Sequence, residues 1–261
     1  MTTHRPLLLS VMQFEDELKS GARTVFAVID TAHRLGLDGV ELRRELWPNW
    51  RNELAQARQR IEELGLIVTY ATFATLFAGG ESTPADHTAV LRQDIDAAAA
   101  LGAPQLRVFP GPVPSSEDEA SWARARAVVA YAAEQGIVLA LENFARTPGG
   151  TLAEIEAVLA QIPDPALKSN IDIGNYLLHG QDVPAAIDAL AARAVSAHLK
   201  DQPTDLAQPP TYLGGSGRDL TPVFAAFERL PQRIIYCFEF GGGGDPEEGI
   251  RRSMAYLQAL R

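Results

Sequence analysis

Residues 136–143 read GIVLALEN, and this stretch carries the signals that decide the fold. Gly136 follows an Ala- and Glu-rich segment at residues 117–135, at the point where a helix often ends on a left-handed residue that glycine adopts without a Cβ penalty. The short apolar run at 137–142 predicts a buried strand, and it ends on the acidic Glu142. The stretch therefore predicts a helix, a short loop and a strand with a charged last residue.

The same order of helix, glycine and strand recurs at residues 35–37 (LGL), 64–66 (LGL) and 101–103 (LGA). Outward from these points, eight apolar runs alternate with eight helix-like segments. The predicted strands are residues 7–12, 39–42, 67–72, 105–109, 137–142, 168–172, 195–199 and 234–240, and the predicted helices are residues 24–35, 52–64, 86–101, 117–135, 151–161, 183–192, 220–230 and 246–260. Eight β/α pairs without a linker predict an α/β protein with one (β/α)8 TIM barrel domain over residues 1–261.

A doubly wound sheet is the alternative fold. It would usually place a glycine-rich turn after the first strand, where residues 13–16 read QFED. The GGSGR segment at residues 214–218 is not followed by the Lys-Ser/Thr pair of a phosphate-binding P-loop. Both observations favour the barrel over a nucleotide-binding sheet.

Composition and charge exclude several classes of protein. The 261 residues include 33 acidic and 23 basic side chains, and the net charge of −10 opposes binding to nucleic acid or to an anionic membrane. The single cysteine, Cys237, excludes an intramolecular disulfide and a Cys-cluster metal site, and we expect it to be buried and inert. The apolar run at residues 6–12 is too short to cross a membrane, so we expect a cytoplasmic protein without a signal peptide.

Polar residues close the last four predicted strands. They are Glu142 in LALENF, Asp172 in SNIDIGN, His198 in SAHLKD and Glu239 in IYCFEF. Active sites of such barrels lie at the carboxyl ends of the strands, and alternation along the strands turns His198 and Glu239 inward. Three carboxylates and an imidazole at one end need a cation between them. An oxygen-rich set with one nitrogen suits Mn²⁺, Mg²⁺ or Co²⁺ best, and Zn²⁺ or Fe²⁺ are further candidates.

Each of these four residues also has a simpler interpretation when it is taken alone. A strand-end glutamate is often an ion-pair partner, a lone histidine is often structural, and Asp172 could only cap the turn at Gly174. The ordered set on four consecutive strands favours the metal site.

At these residues the sequence resembles the xylose isomerase-like TIM barrel superfamily, also called the sugar phosphate isomerase/epimerase family. The matching segments are LGLDGVELR (35–43), GIVLALEN (136–143), IDIGN (171–175), AHLKD (197–201) and EF (239–240), in this order. The resemblance implies one divalent metal ion held by Glu142, Asp172, His198 and Glu239. It also implies that Glu142 and Glu239 are catalytic, one removing and one returning a proton on opposite faces of an enediolate.

Two positions depart from the family pattern. Many sugar epimerases of this group carry a histidine three residues after the strand-six aspartate, where this chain has Asn175. Family members often carry another at the end of strand three, where this chain has Tyr70 and Thr72. Barrel-type DNA endonucleases need several more histidine ligands than the five histidines of this chain supply, which argues against DNA repair.

Five further residues are candidates for substrate binding: Glu41, Arg107, Asn175, Lys200 and Arg218. For Glu41, Arg107 and Lys200 the alternative is an ion pair with a charged neighbour, and Asn175 could be a turn residue. Arg218 and the glycines at 241–244 stand where barrels often bind phosphate, so the substrate could be phosphorylated or the loops could be free of ligand. Four aromatic residues are expected to pack in the core rather than against a sugar: Trp47, Trp50, Phe73 and Phe77.

We therefore expect a divalent-metal-dependent isomerase or epimerase of a small sugar, sugar phosphate or keto-polyol. One alternative is a dehydratase of the inosose or dehydroshikimate type, which needs the same proton abstraction and then expels a hydroxyl, with Lys200 or Glu239 as the acid. The other is a non-catalytic barrel that binds a sugar. The expected partner is a small carbohydrate, without nucleic acid or membrane, and the sequence is compatible with a homo-oligomer.

Overall fold

Eight parallel strands close into a barrel in the order in which they occur in the chain. The computed structural model describes residues 5–79, 83–144, 147–242 and 244–260. The strands are β1 (Leu7–Ser10), β2 (Gly39–Arg43), β3 (Ile67–Thr75), β4 (Gln105–Phe109), β5 (Val138–Glu142), β6 (Leu167–Asp172), β7 (Ala194–Leu199) and β8 (Ile235–Phe238). Because β1 also pairs with β8, the sheet is closed, and the predicted (β/α)8 TIM barrel is confirmed.

Helices alternate with these strands. They are α1 (Glu15–Ser20), α2 (Val25–Arg34), α3 (Trp50–Glu63), α4 (Pro84–Leu101), α5 (Glu119–Glu134), α6 (Leu152–Gln161), α7 (Ile173–Leu178), α8 (Val183–Ala189), α9 (Thr221–Glu228) and α10 (Pro246–Ala259), with short 3₁₀ helices at Val11–Phe14 and Arg44–Leu46. The sequence did not predict α1 and α7, because six residues are too few to show a helical period. No helix among the described residues has both the length and the apolar character needed to cross a membrane.

Glycines end the helices where the sequence predicts. Gly36, Gly65, Gly102 and Gly136 have φ angles of 71°, 65°, 83° and 72°, which is the left-handed region. Each precedes a strand by a few residues, so these glycines turn the chain from the outer ring of helices back into the barrel.

Two strands end earlier than predicted. β1 stops at Ser10 because its hydroxyl accepts a hydrogen bond from the Met12 backbone N–H at 3.3 Å and begins a 3₁₀ helix. β8 stops at Phe238, so Glu239 lies one residue beyond the strand. The predicted alternation along β8 holds: Tyr236 packs on Phe227 of α9 at 5.4 Å between ring centres, and Cys237 is buried on the other face. Burial raises the pKa of the Cys237 thiol, with further contributions from Glu41 and Glu239.

A buried carboxyl lies between α4 and the end of β3. Asp94 of α4 is fully buried, accepts a hydrogen bond from the Thr72 hydroxyl at 2.9 Å and pairs with Arg44 at 3.1 Å. Burial raises the pKa of Asp94 to about 6, although Arg44 and Thr72 act in the opposite direction. Desolvation is therefore the dominant effect at this position.

Gly39 begins β2 where the barrel leaves no room for a side chain. A Cβ at this position would overlap the backbone carbonyl of Ile67 in β3. We expect Gly39→Ala to lower the free energy of unfolding by about 1–3 kcal/mol, because a backbone must shift to accept the methyl group. Urea unfolding would measure it. Gly241→Ala is the matched control, since its added Cβ meets no described atom within 4 Å; an equal loss in both variants would contradict the steric explanation.

Asp94 predicts a pH dependence of stability. The folded-state pKa of about 6 exceeds the ordinary value of 3.8, so the folded state binds an extra proton between these values. The stabilisation is complete below the unfolded-state pKa and is lost as pH rises through the folded-state pKa. In urea unfolding at about pH 4.5 and about pH 7.5, we expect Asp94→Asn to gain about 2–3 kcal/mol relative to the wild type over this interval.

Asp96→Asn, at an exposed position of the same helix, is the control for the Asp94 experiment. We expect its stability to stay parallel to that of the wild type. A difference between Asp94→Asn and wild type that is the same at both pH values would show that the pKa of Asp94 is not raised.

Candidate metal centre and cleft

Four polar residues converge at the carboxyl ends of β5 to β8. Glu142, Asp172, His198 and Glu239 each offer one oxygen or nitrogen atom, and these atoms all lie within 4.8 Å of one another. All four side chains are buried. Asp172 and His198 are paired in register, whereas Glu142 pairs with Asn170, two residues before Asp172, and Glu239 lies two residues beyond Cys237, the partner of His198. The four positions singled out in the sequence therefore form one cluster.

The imidazole of His198 lies at the centre of this cluster. Its Nδ1 is 3.1 Å from an oxygen of Glu142, 3.1 Å from an oxygen of Glu239 and 3.9 Å from an oxygen of Asp172. Despite these distances, Nδ1 makes no hydrogen bond to any residue that the structure describes. A buried nitrogen and three carboxylate oxygens that face it form a set of ligand atoms that fits a divalent cation.

Glu41 lies behind His198, on the side away from the other carboxylates. Its Oε2 is 3.0 Å from Nε2 of His198, and its Oε1 accepts a hydrogen bond from the Ser10 hydroxyl at 3.2 Å. A carboxylate at Nε2 favours a proton there and leaves Nδ1 free to bind a metal. The sequence suggested Glu41 as a substrate ligand, but among the described residues it does not line the cleft above the cluster.

Charged neighbours control the ionisation of the cluster. Burial alone would raise the pKa of Glu142 and Glu239. Arg107 and His198 outweigh it and lower the pKa of Glu142, and His198, Arg43 and Lys200 hold the pKa of Glu239 well below its usual range.

The pKa values of Asp172 and His198 are both raised, which favours their protonated forms. Burial raises the pKa of Asp172 to about 6, although Lys200 acts against it. Burial lowers the pKa of His198, but Glu239, Glu41 and Glu142 together raise it well above the ordinary value. Because both groups bind a proton more readily than usual, the surroundings of Asp172 and His198 favour positive charge.

Two buried arginines neutralise the two glutamates. Arg107 lies 2.9 Å from Glu142 and donates a hydrogen bond to the Thr72 carbonyl at 2.8 Å. Arg43 donates a hydrogen bond to Glu239. The sequence singled out Arg107 as a candidate but not Arg43. The alternation Glu41–Leu42–Arg43 in β2 was the signal for an inward Arg43.

Asp172 has two functions that use different oxygens. Its Oδ1 caps α7 by accepting a hydrogen bond from the Asn175 backbone N–H at 2.9 Å, and its Oδ2 faces His198 and Lys200. Asn143, which the sequence did not single out, fixes this position: its side chain accepts from Asp172 N–H at 2.7 Å and donates to Asp172 C=O at 2.9 Å. The capping interpretation and the ligand interpretation of Asp172 are thus compatible.

Lys200 and Asn175, two of the predicted substrate-binding residues, lie at the edge of the cluster. The Lys200 ammonium is 2.5 Å from Asp172 and 3.5 Å from Glu239. Burial lowers the pKa of Lys200, but Asp172 and Glu239 outweigh it and raise the pKa above its ordinary value. The Asn175 side chain donates to Glu142 at 3.4 Å and to the Asn143 carbonyl at 2.9 Å, so it is more than a turn residue.

A cleft of about 530 Å³ opens above the cluster. Glu142, Glu239, Lys200 and Asn175 are among its lining residues, and Phe73, Phe109 and Phe144 form one aromatic wall. The core role predicted for Phe73 is wrong: its side chain is 50% exposed, whereas Trp47 and Phe77 are buried as predicted. β3 extends to Thr75, beyond its predicted end at residue 72, and Phe73 lies two residues after Ala71, on the face of the strand that points to the cleft.

Arg218 does not belong to the described lining of this cleft. Its Nε donates a hydrogen bond to the Gln202 carbonyl at 2.6 Å, which ties two parts of the loop region after β7 together. In the glycine-rich stretch after β8, Gly243 lies outside the described residues.

Comparison with known proteins agrees with the barrel fold. Residues 29–260 match the profile of the xylose isomerase-like TIM barrel family. No curated protein sequence matches the chain. The fold is similar to that of D-allulose 3-epimerase from Methylomonas sp. in complex with D-allulose (18% identity, 99% of this chain and 98% of that chain, TM-score 0.80).

Two further solved structures have the same fold. L-ribulose 3-epimerase has 16% identity over 98% of this chain and 94% of that chain, with a TM-score of 0.77. A probable 3-DHS dehydratase from Bacillus anthracis has 16% identity over 97% of this chain and 98% of that chain, with a TM-score of 0.74. At these identities the likeness establishes the fold, which hosts both kinds of enzyme.

The contact between Glu41 and His198 predicts an effect on metal affinity. We expect Glu41→Gln to weaken Co²⁺ binding by about 10- to 100-fold, because the amide no longer stabilises the proton on Nε2 that leaves Nδ1 as the ligand. Isothermal titration calorimetry would give the affinity, and the Co²⁺ absorption spectrum would report a changed ligand geometry.

Glu53→Gln is the matched control for Glu41→Gln, since Glu53 accepts a hydrogen bond from Nε1 of Trp47 and is not one of the clustered residues. We expect it to bind Co²⁺ as the wild type does. Unchanged affinity and spectrum in Glu41→Gln would mean that Glu41 does not orient the imidazole.

Proposed function

Because the chain belongs to the xylose isomerase-like TIM barrel family, we propose that it is a divalent-metal-dependent isomerase or epimerase of a small sugar, sugar phosphate or keto-polyol. The observation that carries the proposal is the convergence of Glu142, Asp172, His198 and Glu239 within 4.8 Å, at the base of an open cleft. We assign these four residues as the metal ligands, with Mn²⁺, Mg²⁺ or Co²⁺ as the preferred ion and Zn²⁺ or Fe²⁺ as alternatives.

A divalent ion at this position would polarise the carbonyl of a hydroxy-carbonyl substrate and make the neighbouring C–H more acidic. The residues of the chain then have to move the proton. Glu142 and Glu239 are held ionised by Arg107 and Arg43, so each is able to accept a proton. Their positions on β5 and directly after β8 bring them to the cluster from different strands, and both lie at the cleft.

Glu142 and Glu239 are therefore assigned as the two catalytic residues. One carboxylate removes the proton next to the carbonyl, and the other returns a proton. Return to the opposite face of the same carbon gives epimerisation, and return to the neighbouring carbon gives isomerisation. Asn175 and Lys200, at the edge of the cleft, are assigned to hold substrate oxygens.

A dehydratase is the second candidate, and Lys200 is the observation that favours it. Its ammonium lies 3.5 Å from Glu239 and lines the cleft, and its neighbouring carboxylates keep it protonated. A protonated group beside a base is what the expulsion of a β-hydroxyl needs after the same proton has been removed.

The proposal also covers the domain organisation, the cellular location and the partners of the protein. The net charge of −10 and the single buried cysteine support a one-domain cytoplasmic enzyme that acts on a small carbohydrate and has no nucleic-acid or membrane partner.

The proposal predicts metal-dependent exchange of the proton next to a carbonyl. Dihydroxyacetone, D-allulose, L-ribulose and dihydroxyacetone phosphate would be incubated with the protein and Mn²⁺ or Co²⁺ in D₂O, and deuterium incorporation would be followed by NMR. We expect exchange with at least one compound, no exchange after metal removal with EDTA, and a loss of about 10²–10⁴-fold in Glu239→Gln.

Glu248→Gln on the exposed face of α10 is the control and is expected to exchange as the wild type does. Exchange without loss of water supports the isomerase or epimerase, and a product lighter by one water supports the dehydratase. If a metal-loaded protein binds these compounds without any exchange, the non-catalytic sugar-binding barrel is the better description.

A further inference from the structure

Two arginines stand level with each other at the mouth of the barrel, on β2 and β4, whereas the candidate metal ligands lie at the ends of β5 to β8. Arg43 of β2 pairs in register with Ala71 of β3, and Ala71 pairs with Arg107 of β4. Side chains at paired positions of parallel strands point to the same face of the sheet. The two guanidinium groups therefore enter the barrel mouth at one level, with only the methyl group of Ala71 between them.

The aromatic wall keeps both guanidinium groups in place. Arg43 lies 5.1 Å from the ring centre of Phe73, and Arg107 lies 4.7 Å from that of Phe109. The two rings are nearly parallel, with centres 6.2 Å apart. Both arginines are almost fully buried and both line the cleft, so they present fixed positive charge to whatever occupies it.

Each arginine has N–H groups beyond those that hold the glutamates. Nε of Arg43 and Nη2 of Arg107 are buried and have no hydrogen-bond partner among the residues that the structure describes. Buried donors in native proteins are almost always satisfied. These spare donors indicate that the cleft is built for a ligand with acceptor oxygens on its β2–β4 side.

The charge balance decides which kind of ligand this is. The ion pairs around His198 join four buried carboxylates (Glu41, Glu142, Asp172 and Glu239) to three buried fixed cations (Arg43, Arg107 and Lys200). With His198 neutral as a ligand, a divalent ion would turn one excess negative charge into one excess positive charge. Uncompensated charge is costly in a buried site, so a substrate that brings a negative charge is favoured over a neutral polyol.

We propose that the substrate of this site is an anion, a small hydroxy-ketone with a carboxylate or phosphate group remote from its carbonyl, and that Arg43 and Arg107 bind this group. Guanidinium groups match the oxygen geometry of both anions. The proposal rests on the proposed function, and it places the anion on β2 and β4 rather than at Arg218 in the loop after β7.

The test compares compounds that differ only in charge at the remote end. 5-Hydroxylevulinate has a hydroxymethyl ketone and a carboxylate two carbons away, and its primary amide is a neutral isostere. Neither compound has a stereocentre, so the result does not depend on an unknown configuration. Dihydroxyacetone phosphate is the phosphate arm. Affinities for the Co²⁺-loaded protein would be measured by isothermal titration calorimetry, and deuterium exchange at the hydroxymethyl carbon by NMR.

We expect the carboxylate, the phosphate or both to bind at least about tenfold more tightly than the amide. In Arg43→Gln and Arg107→Gln, each first shown to bind Co²⁺, the preference should fall to about twofold or less, while amide affinity changes little. Arg229→Gln removes the same charge from an exposed ion pair with Asp188 and should keep the full preference.

The outcomes separate this inference from the proposed function. If neither the acid nor the phosphate binds more tightly than the amide while exchange is still observed, the inference is overturned and the function is left intact. The inference is also overturned, with the function intact, if an anion preference survives both arginine substitutions. The same holds if a phosphate preference disappears in Arg218→Gln instead. Binding of Co²⁺ without binding or exchange of any compound overturns both. Because the comparison of acid and amide uses the wild type, it stands even if an arginine variant does not fold.

Discussion

Burial of charge at the carboxyl ends of the strands is the constraint on which the rest of the site depends. An isolated ionised side chain is expensive to place in a protein interior, and here eight titratable or charged side chains share one buried region. The barrel solves this by pairing opposite charges. Candidate metal ligands lie at the ends of β5 to β8 with Lys200 among them, and the arginines occupy β2 and β4. Arg107 pairs with Glu142 on the neighbouring strand, and Arg43 pairs with Glu239 after β8.

This arrangement explains why one architecture suits more than one reaction. Both proton transfer and dehydration begin with removal of a proton beside a carbonyl, and Glu142 and Glu239 are equally placed for that step in both. The reactions differ in what happens to a hydroxyl one carbon further on. Lys200 is the residue whose position bears on this difference, because its ammonium contacts both Asp172 and Glu239. The chemistry of the substrate therefore has as much influence on the outcome as the cluster itself.

The sequence predicted the barrel and the four clustered residues because both follow from local signals. Glycines after helices, apolar runs and polar strand ends are visible within a few residues. The partners of Glu41, Arg43 and Asn143 were not predictable in this way, since each contact crosses to a strand or loop that is distant in the sequence. Phe73 was misassigned because the predicted strand ended at residue 72, whereas β3 runs on to Thr75 and places Phe73 at the cleft. α1 and α7 were missed because they are too short to show a period.

The end of β3 shows how residues outside the cluster bear on it. Glu45 accepts the Phe73 backbone N–H at 2.9 Å, and Asp94 of α4 accepts the Thr72 hydroxyl, so this stretch is held from the helix side. The Thr72 carbonyl in turn accepts a hydrogen bond from Arg107, which pairs with Glu142. A buried acid in the outer layer thus fixes the backbone that orients an arginine at the cleft. The contacts from Asp94 through Thr72 and Arg107 to Glu142 thus join α4 to a candidate catalytic carboxylate, although α4 itself contributes no residue to the cleft lining that the structure describes.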